Sequence, residues 1–145
     1  MARSGKTAEG YVLEEQVGHL LRRAYQRHIA IFQSRFGEDG PTSVQFAALF
    51  TLWRHGGLSQ NRLGRLIGMD PATIKGVIAR LEERGLVERG PDPEDRRRVR
   101  LALTRAGRAL MPGLVARARK ATAATVQPLS EREAARLVAL LSRIV

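Results

Sequence analysis

The sequence predicts a mainly helical fold carrying one small β-hairpin, with long helices at both ends of the chain. Three observations predict it. Two short helices, each opened by a polar capping residue, are joined by a tight turn at Gly68-Met69. A hairpin pattern with an arginine-rich tip follows them directly. Amphipathic stretches longer than that unit can cover flank it on either side.

The bulk numbers agree with a small globular protein. At 145 residues and 43% hydrophobic, the chain can bury a real core. Its 25 basic against 14 acidic side chains leave a formal charge of +11, which points to a polyanionic partner, nucleic acid ahead of an anionic membrane surface. With no cysteine, disulfides, thiolate metal sites and thiol-based oxidation sensing are excluded. Residues 1–10 are small and polar, and no later stretch is apolar for long enough to span a bilayer. A flexible arm and a cytoplasmic protein with no membrane partner are expected.

The elements follow in order. From residue 11 to 36, Leu13, Val17, Leu20, Leu21, Ala24, His28, Ile29 and Phe32 recur with the helical period. Gly37 to Pro41 interrupt it. Thr42 then opens a second helix through a T-x-x-Q capping box with Gln45, continuing as Phe46, Leu49, Phe50 and Trp53 to Gly56-Gly57. Ser59 caps a third helix, with Leu58 and Leu63 spaced as a hydrophobic staple, and Gly68 ends it. Asp70 caps a fourth, with Pro71 at its first position and a buried stripe of Ile74, Val77, Ile78 and Leu81. Residues 86–89 and 99–103 alternate as two strands around a charged turn at 90–98. A long helix from Thr104 toward residue 125, bent near Pro112, and a last one opened by the Ser130-x-x-Glu133 capping box complete the chain.

Two capped helices on a tight turn, followed at once by a hairpin, place the second helix in a major groove and the hairpin beside a minor groove: a winged helix-turn-helix. The apolar stripe of the fourth helix leaves Ala72, Thr73, Lys75, Gly76, Ala79 and Arg80 facing outward. Small residues there allow close approach to base edges. Gly76 in mid-helix costs about 1 kcal/mol against alanine, which asks for DNA or a neighbouring backbone close by. Arg96, Arg97, Arg98 and Arg100 crowd the hairpin tip, where a narrow minor groove attracts arginine. Asp95 is expected to hold one of these guanidinium groups in a bidentate pair. The terminal helices carry apolar stripes that one small winged domain cannot cover, so a homodimer is expected. The chain divides accordingly into an arm at 1–10, dimerisation helices at 11–41 and 104–145, and the winged helix-turn-helix at 42–103.

The runs Leu58-Ser59-Gln60-Asn61-Arg62-Leu63-Gly64-Arg65-Leu66, Met69 to Ile74, Val77 to Arg89, Asp95-Arg96-Arg97 and Leu103-Thr104-Arg105-Ala106-Gly107 resemble the MarR family of bacterial regulators over nearly the whole chain. The resemblance implies paired triangular subunits, each winged domain reading half of a pseudo-palindromic operator in double-stranded DNA. It implies base contacts from Thr73, Lys75 and Gly76, phosphate contacts from Ser59, Gln60 and Arg80, and minor-groove entry by Arg96 or Arg97. Asp95 matches the wing aspartate of the family. Pro71-Ala72 departs from the longer polar residue many members have at the helix start, which leaves the number of base contacts open and gives DNA shape more weight.

The resemblance also implies a small aromatic, often anionic, effector in a cleft between the dimerisation helices and the winged domain. His19, Arg22, Arg23 and Tyr25 on the first helix, with Phe46, Leu49 and Trp53 on the second, supply cations, an imidazole and an apolar wall for an aromatic carboxylate. Benzoate-like, hydroxycinnamate-like and pyridine-carboxylate-like compounds all fit. Taken singly, His19, Arg22 and Arg23 equally fit dimer-interface or surface residues paired with Glu14 and Glu15. Catalysis has few assets: three histidines, four aspartates of which Asp70 and Asp95 have structural work, and no nucleophile, metal-ligand spacing or phosphate loop. No catalytic residue, metal or cofactor is expected. The rival to a ligand-released repressor is a constitutive architectural DNA-binder, which would keep the wing and the dimer but lack an effector pocket.

Overall fold

The computed structural model describes residues 10–145; the arm expected at 1–10 lies, apart from Gly10, outside the described residues. A single 3-10 turn at Leu13–Glu15 precedes six helices and one hairpin: α1 (Val17–Phe36), α2 (Ser43–His55), α3 (Gln60–Ile67), α4 (Pro71–Glu83), β1 (Val87–Pro91), β2 (Val99–Leu103), α5 (Arg105–Thr125) and α6 (Glu131–Leu141). The first helix therefore begins at Val17 rather than residue 11, because Gln16 is extended and its side-chain amide turns back onto the Val12 carbonyl at 2.8 Å.

Local chemistry sets most boundaries. Thr42 and Ser130 cap α2 and α6 with complete capping boxes, closed by Gln45 and Glu133, and Ser59, Asp70 and Thr104 cap α3, α4 and α5 through their side-chain oxygens. The capping bonds hold the Asp70 and Glu133 carboxyls below their ordinary values, the backbone N–H of Thr73 and of the Ser130 cap respectively being the largest cause. Pro112 lies inside α5 without ending it: one N–H is lost from the ladder, and the helix runs on.

The core sits where α2, α3 and α4 meet the hairpin and α5. Leu49, Leu52, Leu63, Ile74, Ile78, Leu81, Leu101 and Met111 are its largest fully buried side chains. Phe32 and Phe36 of α1 stack at 4.2 Å and meet Phe46, tying α1 to that core. The strands pair antiparallel from Val87 with Leu103 to Pro91 with Val99. Thus β1 extends two residues past the expected Arg89; Gly90 and Pro91 join the edge, where a proline's missing donor faces solvent. Leu58 adds a short third leg by exchanging backbone bonds with Leu101 at 2.9 and 2.8 Å.

Thr104 fixes the start of α5. Its N–H bonds to the Leu86 carbonyl at 3.0 Å and its hydroxyl donates to the Gly85 carbonyl at 2.6 Å while accepting from the Gly107 N–H. The approach is close enough that a Cβ at Gly107 would stand 2.3 Å from the Leu86 oxygen, so only glycine fits. At the far end, Arg27 donates to the carbonyls of Ala124 and Thr125, and His28 bonds through Nδ1 to the Thr125 hydroxyl at 2.8 Å. By contrast, α6 buries no residue fully. It faces the start of α1 across an open apolar groove of about 610 Å³, walled by Leu20, Leu21, Ala24, Leu137, Leu140 and Leu141.

Candidate nucleic-acid interface

The α3–α4 unit is built by its turn. Gly68 adopts a left-handed conformation with φ 71, and the Met69 N–H bonds to the Gly64 carbonyl at 2.8 Å, which stops α3 and lets Asp70 open α4 two residues later. Ile74, Ile78 and Leu81 point into the core, with Val77 half-buried, and Ala72, Thr73, Lys75, Gly76, Ala79 and Arg80 are exposed. Nothing lies within 4 Å of a Cβ built on Gly76. Among the described residues no neighbouring backbone accounts for that glycine.

Ser59 is exposed at the start of α3, its oxygen accepting from the Arg62 N–H at 3.3 Å. Arg89 bridges two elements that sequence reasoning treated separately. Its guanidinium contacts Glu82 of α4 at 2.7 Å and Gln60 of α3 at 3.1 Å. Because arginine can only donate, the Gln60 oxygen is occupied inward and its NH2 is left to donate outward, the polarity a phosphate requires. Arg89 was missed because its partners lie 7 and 29 residues away.

The wing tip organises itself. The Asp92 N–H bonds to the Arg98 carbonyl and the Arg98 N–H to the Asp95 carbonyl, both at 3.0 Å, while the Asp92 and Asp95 side chains accept from Glu94 and Arg97 N–H groups. Asp95 does not make the expected bidentate pair. It approaches Arg98 Nε through one oxygen at 3.7 Å, because its other oxygen is spent on the Arg97 backbone. Arg96 and Arg97 remain exposed and, among the described residues, make no ion pair. Arg100 is not part of the free charge: half-buried on β2, it donates to the Gly56 carbonyl at 2.9 Å and closes the end of α2.

The residues expected to hold an effector fall into two groups. His19, Arg22, Arg23 and Tyr25 lie in the first half of α1, where Arg22 donates to His19 Nδ1 at 3.1 Å. Among the described residues none of these cations pairs with Glu14 or Glu15. Phe46 and Trp53 belong instead to an aromatic series running through Phe50, and Leu49 is sealed in the core at 1% exposure. From His19 to Phe32, where α1 meets Phe46, is about 20 Å along the helix. One protomer therefore does not gather them into a single cleft, a separation that a 3.6-residue pattern does not reveal. Among the described residues no helix is long and apolar enough to cross a membrane.

Comparison with known proteins fits this geometry. The HTH-type transcriptional repressor NicR of Pseudomonas putida is 42% identical over 135 residues, covering 93% of this chain and 85% of that protein. A probable transcriptional regulator from Pseudomonas aeruginosa superposes with a TM-score of 0.86 at 45% identity, over 92% of this chain and all (100%) of the other. Bordetella bronchiseptica BpsR, whose DNA binding is regulated by 6-hydroxynicotinic acid, superposes with a TM-score of 0.86 at 42% identity, over 92% and 96% of the two chains. The MarR family profile matches residues 42–99, the winged helix-turn-helix itself. A capped two-helix unit, a self-closed basic wing and these relatives lead to one conclusion: the chain belongs to the MarR family and is a DNA-binding transcriptional regulator.

Proposed function

We propose that this regulator represses transcription as a homodimer, and that a small aromatic carboxylate releases it from a pseudo-palindromic operator. The observation that carries the DNA-reading part is the outward face of α4. Ala72, Thr73, Lys75, Gly76, Ala79 and Arg80 are exposed on a helix whose other face is sealed, beside a wing tip where, among the described residues, Arg96 and Arg97 pair with no carboxylate. Thr73, Lys75 and Gly76 meet base edges. Ser59, Gln60 and Arg80 meet phosphates, and Arg96 or Arg97 enters the flanking minor groove while Asp95 and Arg98 shape the loop that presents it. The groove between α1 and α6 is the dimerisation face, since an apolar surface of this extent, between the first half of α1 and a helix α6 that buries no residue fully, calls for a partner copy.

A hydroxylated pyridine carboxylate is the effector class favoured, because the DNA binding of BpsR responds to 6-hydroxynicotinic acid. A carboxylate needs cations and a planar ring needs an apolar wall. Arg22 and Arg23, beside the His19 imidazole, offer the first toward the start of α1, and Phe46 and Trp53 offer the second on α2, as two ends that one protomer does not bring together. The test titrates 6-hydroxynicotinate against the operator complex of wild type, Arg23→Ala and Trp53→Ala. Release of the wild type at a lower concentration than one variant locates the site at that end. Release of all three at one midpoint removes both ends from the site, and no release of the wild type favours a constitutive binder.

A further inference from the structure

The outward face of α4 carries donors at Lys75 and Arg80, apolar or bare positions at Ala72, Gly76 and Ala79, and one hydroxyl, Thr73. A threonine hydroxyl has one proton to give and two lone pairs to receive with, so taken alone it reads any polar base edge. Thr73 is not left alone. Asp70 Oδ1 accepts from the Thr73 N–H at 2.8 Å, and Asp70 Oδ2 accepts from the Thr73 hydroxyl, also at 2.8 Å. A carboxylate is acceptor-only, and the capping bonds hold Asp70 in that form. The single proton of Thr73 is therefore spent inward, and what the exposed side chain presents outward is lone pairs and a methyl group.

In the major groove only the exocyclic amino groups of adenine and cytosine donate; guanine offers N7 and O6, and thymine O4 with its methyl, all unable to satisfy an acceptor. We infer that Thr73 is a one-way reader, an acceptor for the amino group of an adenine or a cytosine, whose polarity is imposed by the helix cap Asp70. This rests on the proposal that α4 enters the major groove, and assigns its chemistry at one position. It gives Asp70 a second task as a positioning residue: besides opening α4, it decides which hydrogen-bond sign the helix shows. Guanine is left to Lys75, which can only donate.

The experiment selects preferred half-sites from a randomised pool with the full-length protein and then measures affinities on the selected sequence. Wild type is expected to prefer one base pair at one half-site position, and because each pair presents a single major-groove amino group, the adenine or cytosine of that pair is the base read. A duplex in which that base lacks its amino group should bind about tenfold more weakly, the loss of a single good base contact. Thr73→Val should lose the preference at that position alone, and Thr73→Ser should keep it. Asp70→Asn is the sharper variant. Its amide oxygen still caps the Thr73 N–H, so α4 is retained, but its NH2 now donates to the Thr73 oxygen. The hydroxyl proton is then freed outward, and the preference should move to guanine or thymine. An Asp70→Asn protein with the wild-type preference, or a Thr73→Val protein that still discriminates at every position, would overturn the inference. A wild type with no preference at any position would instead remove α4 from the major groove.

Discussion

The wing and α4 together make a quantitative demand on salt. Lys75, Arg80, Arg96 and Arg97 are exposed on the face proposed to meet DNA, and none has a carboxylate within ion-pair distance among the described residues. Two protomers double those four, and eight cations set against the duplex, on phosphates or in the grooves, displace condensed counterions, so log affinity should fall against log salt with a slope of about −7. Between 50 and 200 mM salt that slope costs about four decades of affinity. Replacing Arg96 and Arg97 by alanine removes half of these cations, and the slope should relax to about −4. Fluorescence anisotropy of a labelled operator duplex across a salt series measures both values. The wing variant is informative because its tip is closed by backbone and aspartate bonds that do not use either guanidinium, so the loop survives the substitution. A variant slope equal to that of wild type would refute the reasoning, since it would mean that the wing makes no contact with the polyanion.

Other consequences follow from the fold. Gly107→Ala gains helix propensity of about 1 kcal/mol but forces a Cβ to 2.3 Å from the Leu86 carbonyl; a net loss of about 1–2 kcal/mol in urea unfolding is expected, and a gain would show that α5 is free to shift. Leu137→Asp places a charge in the groove shared by α1 and α6; light scattering should give a monomeric mass and operator affinity should collapse, whereas an intact dimer would locate the interface elsewhere. Because the folded-state values of Asp70 and Glu133 are lowered, their stabilising contributions are present above the ordinary carboxylate range and lost as pH falls through it. Stability should therefore decline in acid, less steeply in an Asp70→Asn, Glu133→Gln double variant; identical acid profiles would contradict the assignment.

What the sequence made legible is what depends on near neighbours. The Thr42 and Ser130 capping boxes, the Asp70 cap and the Gly68 turn each involve residues three to five apart, and each appears in the structure where spacing put it. The basic tip was legible as composition, but its wiring was not. Arg100 reaches back 44 residues to the Gly56 carbonyl, and Arg89 spans 29 to Gln60, contacts that exist only once the hairpin packs beside α2 and α3. Asp95 was assigned a guanidinium fork because charge pairing is the obvious use of an aspartate among arginines; the loop uses it first for a backbone turn. The effector residues divided for a related reason. Helical periodicity reports which side of α1 a residue occupies but not how far along it α2 crosses, and Phe32 and Phe36, not His19, stand at that crossing.

Helix α5 offers a route from the proposed effector end, near the terminal helices, to the proposed DNA-reading face. At 21 residues it is about 31 Å long, and it is clamped at both ends. Thr104 and Gly107 lock its start to the Gly85-Leu86 corner that ends α4 and begins β1. Its last turn is held to α1 by Arg27 on the Ala124 and Thr125 carbonyls and by His28 on the Thr125 hydroxyl. That hydroxyl donates to the Ala121 carbonyl at 2.8 Å, so His28 Nδ1 must be the donor to it. A beam fixed at both ends transmits a tilt as rigid-body rotation, and a tilt of about 10° displaces one end of this length by about 5 Å relative to the other, enough to spoil the fit of two recognition helices to successive major grooves. Repressor release then needs a coupling of only about 1–3 kcal/mol, a 5- to 150-fold change in operator affinity. Severing the far clamp should reduce that coupling. In an Arg27→Ala, Thr125→Ala double variant, 6-hydroxynicotinate should still bind, by calorimetry, and the free protein should still hold its operator, but saturating ligand should lower operator affinity by a markedly smaller factor than in wild type. A double variant with the full wild-type factor would show that the signal reaches α4 by a path that does not use the end of α5.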